Sequence, residues 1–347
     1  MAWWQGQTIQ ADGIVDALFG IGLNAAVTGI AKDMIDAANA SHSDILAIDV
    51  PSGVNADTGY VAGEAINAQI TVCFIGHKLG LLTGDGASYT GKVILKDLAI
   101  PLKNYTPPKI QAWQLDDLRF QKRAKNSHKG DFGHVLVIGG DEGMGGAVMM
   151  TAEACLRTGA GKVTVATHPN HVAPLLARCP EVLVQGIHHP EQLKPLINNA
   201  TVIVIGMGLG RQAWGQRLWL AVKDSQLPMV VDADALYWLA QQPQHKTNWV
   251  LTPHSGEAGR LLAKPYQQVN QQRLASVESL VDTFGGIALL KGAGSLVATQ
   301  QQVNLCPYGN AGMATAGMGD TLAGIMAGLV AQFGLSLETV TKAVLAH

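Results

Sequence analysis

The chain has 347 residues, of which 48% are apolar and 14% charged, and its formal net charge is −2. That balance excludes a disordered tail, which is poor in apolar residues and rich in charge, and it lacks the basic excess of a nucleic-acid binder. The 40 glycines, roughly 12% against an average of about 7%, follow no three-residue period, so a collagen-like rod is excluded and the glycines are read as backbone turns.

In chain order, the first residues, MAWWQGQTIQADG, show no basic segment followed by an apolar core, so no signal peptide is read there. Apolar runs predict strands at Gly13–Leu18, Ile45–Asp49, Ile70–Phe74 and Lys92–Leu98, with a helix at about Ile30–Ala40. Prolines at 101, 107 and 108 then precede the polar stretch LDDLRFQKRAKNSHKGD. This composition shift places a domain boundary near residue 103, giving units 1–102 and 103–347; a single core stops growing near ~250–300 residues, so two domains suit the length. Beyond the boundary, strands are predicted at His134–Ile138, Lys162–Ala166, Val202–Ile205, Met229–Val231, Trp249–Leu251 and Ile287–Leu290, with helices at Ala147–Thr158 and Asp320–Ala331. Strands alternating with alanine-rich helices predict an α/β protein with a mostly parallel sheet. The run Leu322–Ala331 is shorter than the ~18 residues that span a membrane, and it is read as a buried helix. Cys73, Cys155, Cys179 and Cys306 form no Cys-x-x-Cys pair, which fits a reducing cytoplasm without disulfides or structural zinc.

The glycines fall in clusters at predicted strand ends. Gly139 to Gly146 opens the helix at Ala147, but its spacing is neither G-x-G-x-x-G nor a Walker loop, which disfavours a standard dinucleotide or P-loop fold. The turn Gly206-Met207-Gly208-Leu209-Gly210 sits where α/β proteins bind ligands, and it also reads as an ordinary tight turn. Asp232 and Asp234 in VVDADAL either face phosphates through Mg²⁺ or cap the following helix. In LTPHSGE, His254 and Glu257 are too sparse to make a metal site. Lys291 in LKGAGS either meets a phosphate or is a solvated charge. The segment Gly309 to Asp320, GNAGMATAGMGD, runs directly into the helix TLAGIMAGLVAQ. Small residues leave consecutive N–H groups open, and the helix start adds its own donors and positive dipole end, so together they predict an anion cradle. Asp320 would accept a hydroxyl proton while the cradle holds a transferring phosphoryl group; the alternative is a plain N-cap.

Five segments in this order, HKGDFGHVLVIGG, GMGLG, VVDADAL, LTPHSGE, and KGAGS followed by GNAGMATAGMGDTLAG, resemble the ADP- or ATP-dependent NAD(P)H-hydrate dehydratase family over roughly residues 120–347. The resemblance implies a ribokinase-like three-layer α/β/α domain that repairs hydrated NAD(P)H, with ADP or ATP as co-substrate and Mg²⁺. The mechanism it implies is phosphorylation of the ring hydroxyl followed by elimination of phosphate. It also implies Asp320 as catalytic base, and Ala147, Gly208, His254 and Asp320 around the hydrate. Lys291, Gly292, Ala293, Gly294, Ser295, Gly317 and Gly319 would hold the nucleotide. The sequence departs from the common pattern at Ala316, Met318 and Ser295, and an alanine at 316 restricts the backbone if that position needs positive φ. A ribokinase-like kinase of the hydroxymethylpyrimidine or hydroxyethylthiazole type remains the alternative.

The segments DALFGIGLN at 16–24 and IDVPSGVN at 48–55 resemble the C-terminal half of the NAD(P)H-hydrate epimerase domain. This implies a partial Rossmann-like α/β domain ahead of the dehydratase, with Asp16 and Ser52 on a potassium ion. Gly20, Ile21, Gly22, Leu23, Asn24, Ala25 and Ala26 would contact substrate phosphate and ribose, and Asp49 the nicotinamide. The family's Asn-Asn-Gly-Gly-Asp loop does not occur in the chain. A fragment lacking half of this domain and ending inside a further helix is therefore expected, with an unpaired sheet edge. The partners expected are small molecules and further copies of the chain in a homo-oligomer, with no nucleic acid or membrane.

Overall fold

The computed structural model describes residues 6–101 and 109–347. The boundary expected near residue 103 lies outside the described residues. The chain divides into two units: the described part of Met1–Pro108 with Asn270–Leu274 and Gly292–Gly294, and a larger one of Lys109–Val269, Ala275–Lys291 and Ser295–His347.

The first unit holds a parallel sheet in the order β1 (Gly13–Asp16), β2 (Asp44–Ile48), β3 (Ile70–Phe74), β4 (Lys92–Lys96), with α1 (Gly29–Asn39) between β1 and β2. Alternation in β2 sends Ile45 and Ala47 inward, where they pack with Ile35 and Ala38 of α1. Val50, Val54, Cys73 and Leu81 form a second small cluster. The outer strand β1 leaves Val15 68% exposed, so this unit carries an apolar strand edge in the open.

In the second unit ten strands form one sheet. β5 (Ile110–Ala112) leads to β6 (His134–Ile138), β7 (Lys162–Thr167), β8 (Leu183–Gly186), β9 (Val202–Ile205), β10 (Met229–Val231), β11 (Trp249–Leu251), β12 (Ile287–Leu290), β13 (Ser295–Ala298) and β14 (Val303–Cys306). The helices are α2 (Gly145–Thr158), α3 (Val172–Arg178), α4 (Leu193–Asn199), α5 (Ala213–Val222), α6 (Ala233–Gln241), α7 (Ser255–Leu262), α8 (Tyr266–Gln271), α9 (Arg273–Phe284), α10 (Met318–Phe333) and α11 (Leu337–Ala346). The order is β5-β14-β13-β12-β11-β10-β9-β6-β7-β8, parallel from β8 through to β12 and antiparallel only at β12-β13-β14. Every residue of β9 to β12 is buried. Successive strand residues point to opposite faces, so both faces of the sheet are covered, as a parallel sheet of continuous apolar runs requires.

α2 and α10 lie against each other because glycines remove the side chains that would separate them: a Cβ on Gly324 would stand 2.3 Å from the Thr151 carbonyl oxygen. Gly159 ends α2 with φ +106, its N–H reaching the Cys155 and Leu156 carbonyls. The chain leaves β6 toward β7 on one side and returns through β9 on the other, which makes the β6/β9 crevice the topological switch point.

Candidate active site

The loops after β6 and β9 meet at this crevice. Gly140 N donates to the Met207 carbonyl at 3.0 Å and Asp141 N to the Gly208 carbonyl at 2.6 Å. Gly206 has φ +127 and an added Cβ there would fall 1.7 Å from the Asp232 carbonyl oxygen, so only glycine fits. Gly208, at φ +57, faces the start of α2, where a Cβ would meet Ala147 Cβ at 3.3 Å. Two of the expected substrate positions, Ala147 and Gly208, are thus brought together. His254 caps α7: its Nδ1 accepts from Gly256 N at 3.0 Å while Glu257 accepts from His254 N at 2.9 Å. The His254–Glu257 spacing is therefore a capping box, and the imidazole remains 61% exposed.

Gly317, the residue just before α10, stands at the N-cap position and takes φ +89. The neighbouring Ala316 is not among the residues with positive φ, so the departure at 316 carries no backbone strain. Asn310 caps a short turn at Ala311–Met313, its Oδ1 accepting from Gly312 N at 2.9 Å. Asp320 stands in the first turn of α10, where open N–H groups and the dipole favour an anion. Burial, and after it the negative charge of Asp232, push its carboxyl up to about 6, with Lys291 acting in the opposite direction. The Thr151 hydroxyl of α2 lies 2.9 Å from the Ala147 carbonyl and 3.1 Å from the Asp320 carbonyl.

Beneath this helix start lies a charged cluster that required the fold to assemble. Asp232, only 2% exposed, caps α6 through Ala233 N at 2.9 Å and accepts from Lys291 Nζ at 2.8 Å. Glu257 lies 4.0 Å from the same ammonium. Although burial works against its charge, Asp232 and Glu257 hold the Lys291 ammonium above the ordinary lysine range. A Cβ on Gly319 would be 3.6 Å from Lys291 Nζ and 3.8 Å from Asp232 Oδ2. Asp234 accepts from Arg211 Nε at 2.8 Å and from Gly210 N at 3.0 Å. Asp232 and Asp234 are thus engaged as cap and ion-pair partners. In the Lys291–Ser295 turn, Gly292 has φ +142 and Gly294 φ +60. The Arg273 guanidinium packs against Gly292 and donates to the Gly294 carbonyl at 3.4 Å.

In the first unit, Ser52 Oγ donates to Asp16 Oδ1 at 2.6 Å, Ser52 N donates to Oδ2 at 2.8 Å, and Phe19 N donates to Ser52 Oγ at 2.9 Å. Both side chains are buried. Among the described residues no group of three or more His, Cys, Asp or Glu could hold a metal ion. The Asp16 and Ser52 oxygens are turned on each other, so this pair does not by itself form a potassium cage. Within Gly20–Ala26, a Cβ at Gly20 or Gly22 would meet nothing within 4 Å, and Ile21 is 61% exposed, so the segment lies open. The Leu23 carbonyl is fixed by Asn55 Nδ2 at 3.1 Å. Asp49 takes φ +69, an uncommon left-handed conformation, and accepts from Phe74 N at 3.1 Å and from Lys78 Nζ. Lys78 and Thr151 had no motif to announce them; each acts through a partner far away in sequence.

A groove of about 800 Å³ runs along the outer side of α2 and α10, lined by Phe120, Met150, Ile325 and Phe333 among others. Asp232, Lys291 and Asp320 are not among its lining residues. The four cysteines are free and buried. Among the described residues no helix is long and apolar enough to cross a membrane.

A family model described as NAD(P)H-hydrate dehydratase matches residues 135–347, and one described as YjeF-related protein N-terminus matches residues 2–80. The bifunctional NAD(P)H-hydrate repair enzyme Nnr of Coxiella burnetii is 45% identical over 95% of this chain and 68% of its own length. The Escherichia coli protein of the same name is 43% identical over 92% of this chain and 63% of its own length. The chain thus spans about two thirds of the length of these curated relatives. Among solved structures, a ribokinase-like superfamily protein from Enterococcus faecalis superposes with a TM-score of 0.64 at 35% identity, covering 70% of this chain and 87% of that one. An ADP/ATP-dependent NAD(P)H-hydrate dehydratase from Bacillus subtilis, co-crystallized with ATP/Mg²⁺, gives 0.59 at 25% identity, covering 67% and 85%.

Proposed function

The chain belongs to the NAD(P)H-hydrate dehydratase family, and from that premise we propose that its larger unit restores NAD(P)H from the S hydrate by nucleotide-driven dehydration, with Asp320 as the base. The observation that carries this reading is a carboxylate poised near 6 in the first turn of α10, directly behind a glycine run and beside a buried ammonium. Asp320 takes the proton of the hydrate hydroxyl as that oxygen bonds to the terminal phosphorus and the phosphorus–oxygen bond to the nucleotide breaks. The ring nitrogen lone pair then expels phosphate from the neighbouring carbon, and the next ring carbon loses a proton to complete the double bond, so the products are NAD(P)H, phosphate, a proton and AMP from ADP, or ADP from ATP. Open N–H groups around Gly317 and Gly319 and the Lys291–Ser295 turn would hold the phosphates, while Ala147, Gly208 and His254 line the hydrate. Mg²⁺ would arrive with the nucleotide, because Asp232 and Asp234 are already engaged. A base must be ionised, so kcat/KM, which reports the free site, rises with pH through about 6.

The first unit is read as an epimerase-like element that presents Gly20–Ala26 and Asp49, with Asp16 and Ser52 as potassium ligands only once further oxygen donors are supplied. The buried free cysteines and the exposed groove beside α10 support a cytoplasmic homo-oligomer. Incubation with S-NADH hydrate, Mg²⁺ and ADP or ATP should restore reduced-nicotinamide absorbance, whereas R hydrate alone should stay inert. Phosphorylation of a thiazole or pyrimidine alcohol with no recovery from S hydrate would establish the kinase reading instead.

A further inference from the structure

Asp232 is the most deeply placed carboxylate of the site, 2% exposed, and the chemistry above gives it no task. Capping α6 does not account for it, since a neutral Ser or Asn caps a helix equally well, and a buried charge is costly unless it is paired. Its pairing is with Lys291, at 2.8 Å, the residue that follows β12 and opens the proposed nucleotide turn. Both groups stand within 4 Å of where a Gly319 side chain would be, one residue before Asp320. They act on Asp320 with opposite signs: the carboxylate favours its protonated form and the ammonium its ionised form. Asp232 and Lys291 are the charges that face Asp320; Lys291 in turn faces Asp232, Glu257, Asp320 and the His347 ring. A lysine ammonium is a point charge on a flexible four-carbon stem, and a nucleotide phosphate at the start of α10 competes directly for it.

We propose that Asp232 is a positioning residue that stores Lys291 beneath the phosphate cradle and yields it to the nucleotide, leaving its own carboxylate to strengthen Asp320 as a base. The free site thus keeps Asp320 a weaker base, and the loaded site sharpens it. This rests on the reading of Asp320 as the base. The mechanism also separates two properties: Lys291 governs nucleotide affinity, and Asp232 governs the proton affinity of its neighbour.

The test is Asp232→Asn in the full chain, which keeps the cap and removes the charge. The Asp320 carboxyl is followed by carbon-13 NMR titration in the free protein, with the pH profile of kcat measured beside it. The titration midpoint should fall by on the order of one pH unit, the acid limb of kcat should move down with it, and plateau kcat should drop about tenfold, since one unit of pKa is a tenfold change in equilibrium. Should that variant fail to fold, Lys291→Gln serves, with the Asp320 midpoint expected to rise in the free protein. An unchanged midpoint in Asp232→Asn, or an unchanged or lowered one in Lys291→Gln, overturns the proposal. A wild-type protein that cannot dehydrate S hydrate with either nucleotide sinks the base assignment instead, and the NMR result keeps the two failures apart.

Discussion

Replacing Asp320 by asparagine removes the proposed base and a partly buried charge in one step, and the two losses have opposite consequences. For the reaction, losing a general base costs typically 10²–10⁴-fold, or roughly 3–5 kcal/mol at 1.36 kcal/mol per decade. For the fold, the carboxyl titrates near 6 instead of its ordinary 3.8. Between these values the folded chain holds a proton that the unfolded chain releases, so stability falls as pH rises through that window and the penalty is complete above about 6. The shift of about two units sets a ceiling of about 3 kcal/mol, which solvent screening at this partly exposed position reduces to about 1–2. Asparagine also forfeits the attraction of a carboxylate to the start of α10, about 0.3–1 kcal/mol. Desolvation wins, leaving a net gain of about 1 kcal/mol, or about 2–4 °C in Tm for a unit of this size. The assay pairs S-hydrate turnover with thermal unfolding at pH 8 and again below pH 4, where both states are protonated and the gain should disappear. A variant that keeps more than about a tenth of the rate, or melts lower at pH 8, refutes this reasoning.

Gly206→Ala should be costly, because a Cβ would land 1.7 Å from the Asp232 carbonyl at a backbone angle of +127. Strain and overpacking together predict a loss of about 3 kcal/mol, read as a lower denaturation midpoint; an unshifted midpoint would show that the β9 turn relaxes. Ser52→Ala removes a hydroxyl that donates to buried Asp16 and accepts from Phe19 N. About 1–3 kcal/mol of stability should be lost from the first unit, checked by hydrogen exchange of its sheet amides, and unchanged protection would count against a structural role for the pair.

The central parallel strands were legible because burial on both faces writes them as unbroken apolar runs: β6, β9, β10, β11 and β12 occupy the spans their composition predicts. The predicted Lys92–Leu98 ends at Lys96, since Leu98 and Ala99 take positive φ and turn the chain away. The antiparallel strands β13 and β14 escaped notice because no helix separates them from β12, so the alternation of strands with helices that marks the parallel strands does not reach them. At the site, the glycine run and Asp320 could be read from adjacency alone. The Asp232–Lys291 pair could not, since the residues are 59 apart and meet only because β10, β11 and β12 lie side by side. Position 316 shows the same limit: a pattern marks where glycine is common, but only the backbone reveals that Gly317, and not Ala316, takes the left-handed turn.

The Thr151 hydroxyl, between the carbonyls of Ala147 and Asp320, bears on how the site opens. It ties the helix proposed to line the hydrate to the helix proposed to carry the base, and glycine contacts keep the two at backbone distance. Such a pair is held as a single block, which would keep Asp320 in register with Ala147 on the neighbouring helix. The stretch before α10 has no such tie, and its residues from Gly309 to Ala316 are exposed except for Met313. Close backbone packing fixes the helix pair while exposure leaves the loop room, so the loop can tolerate sequence change that the helix pair cannot.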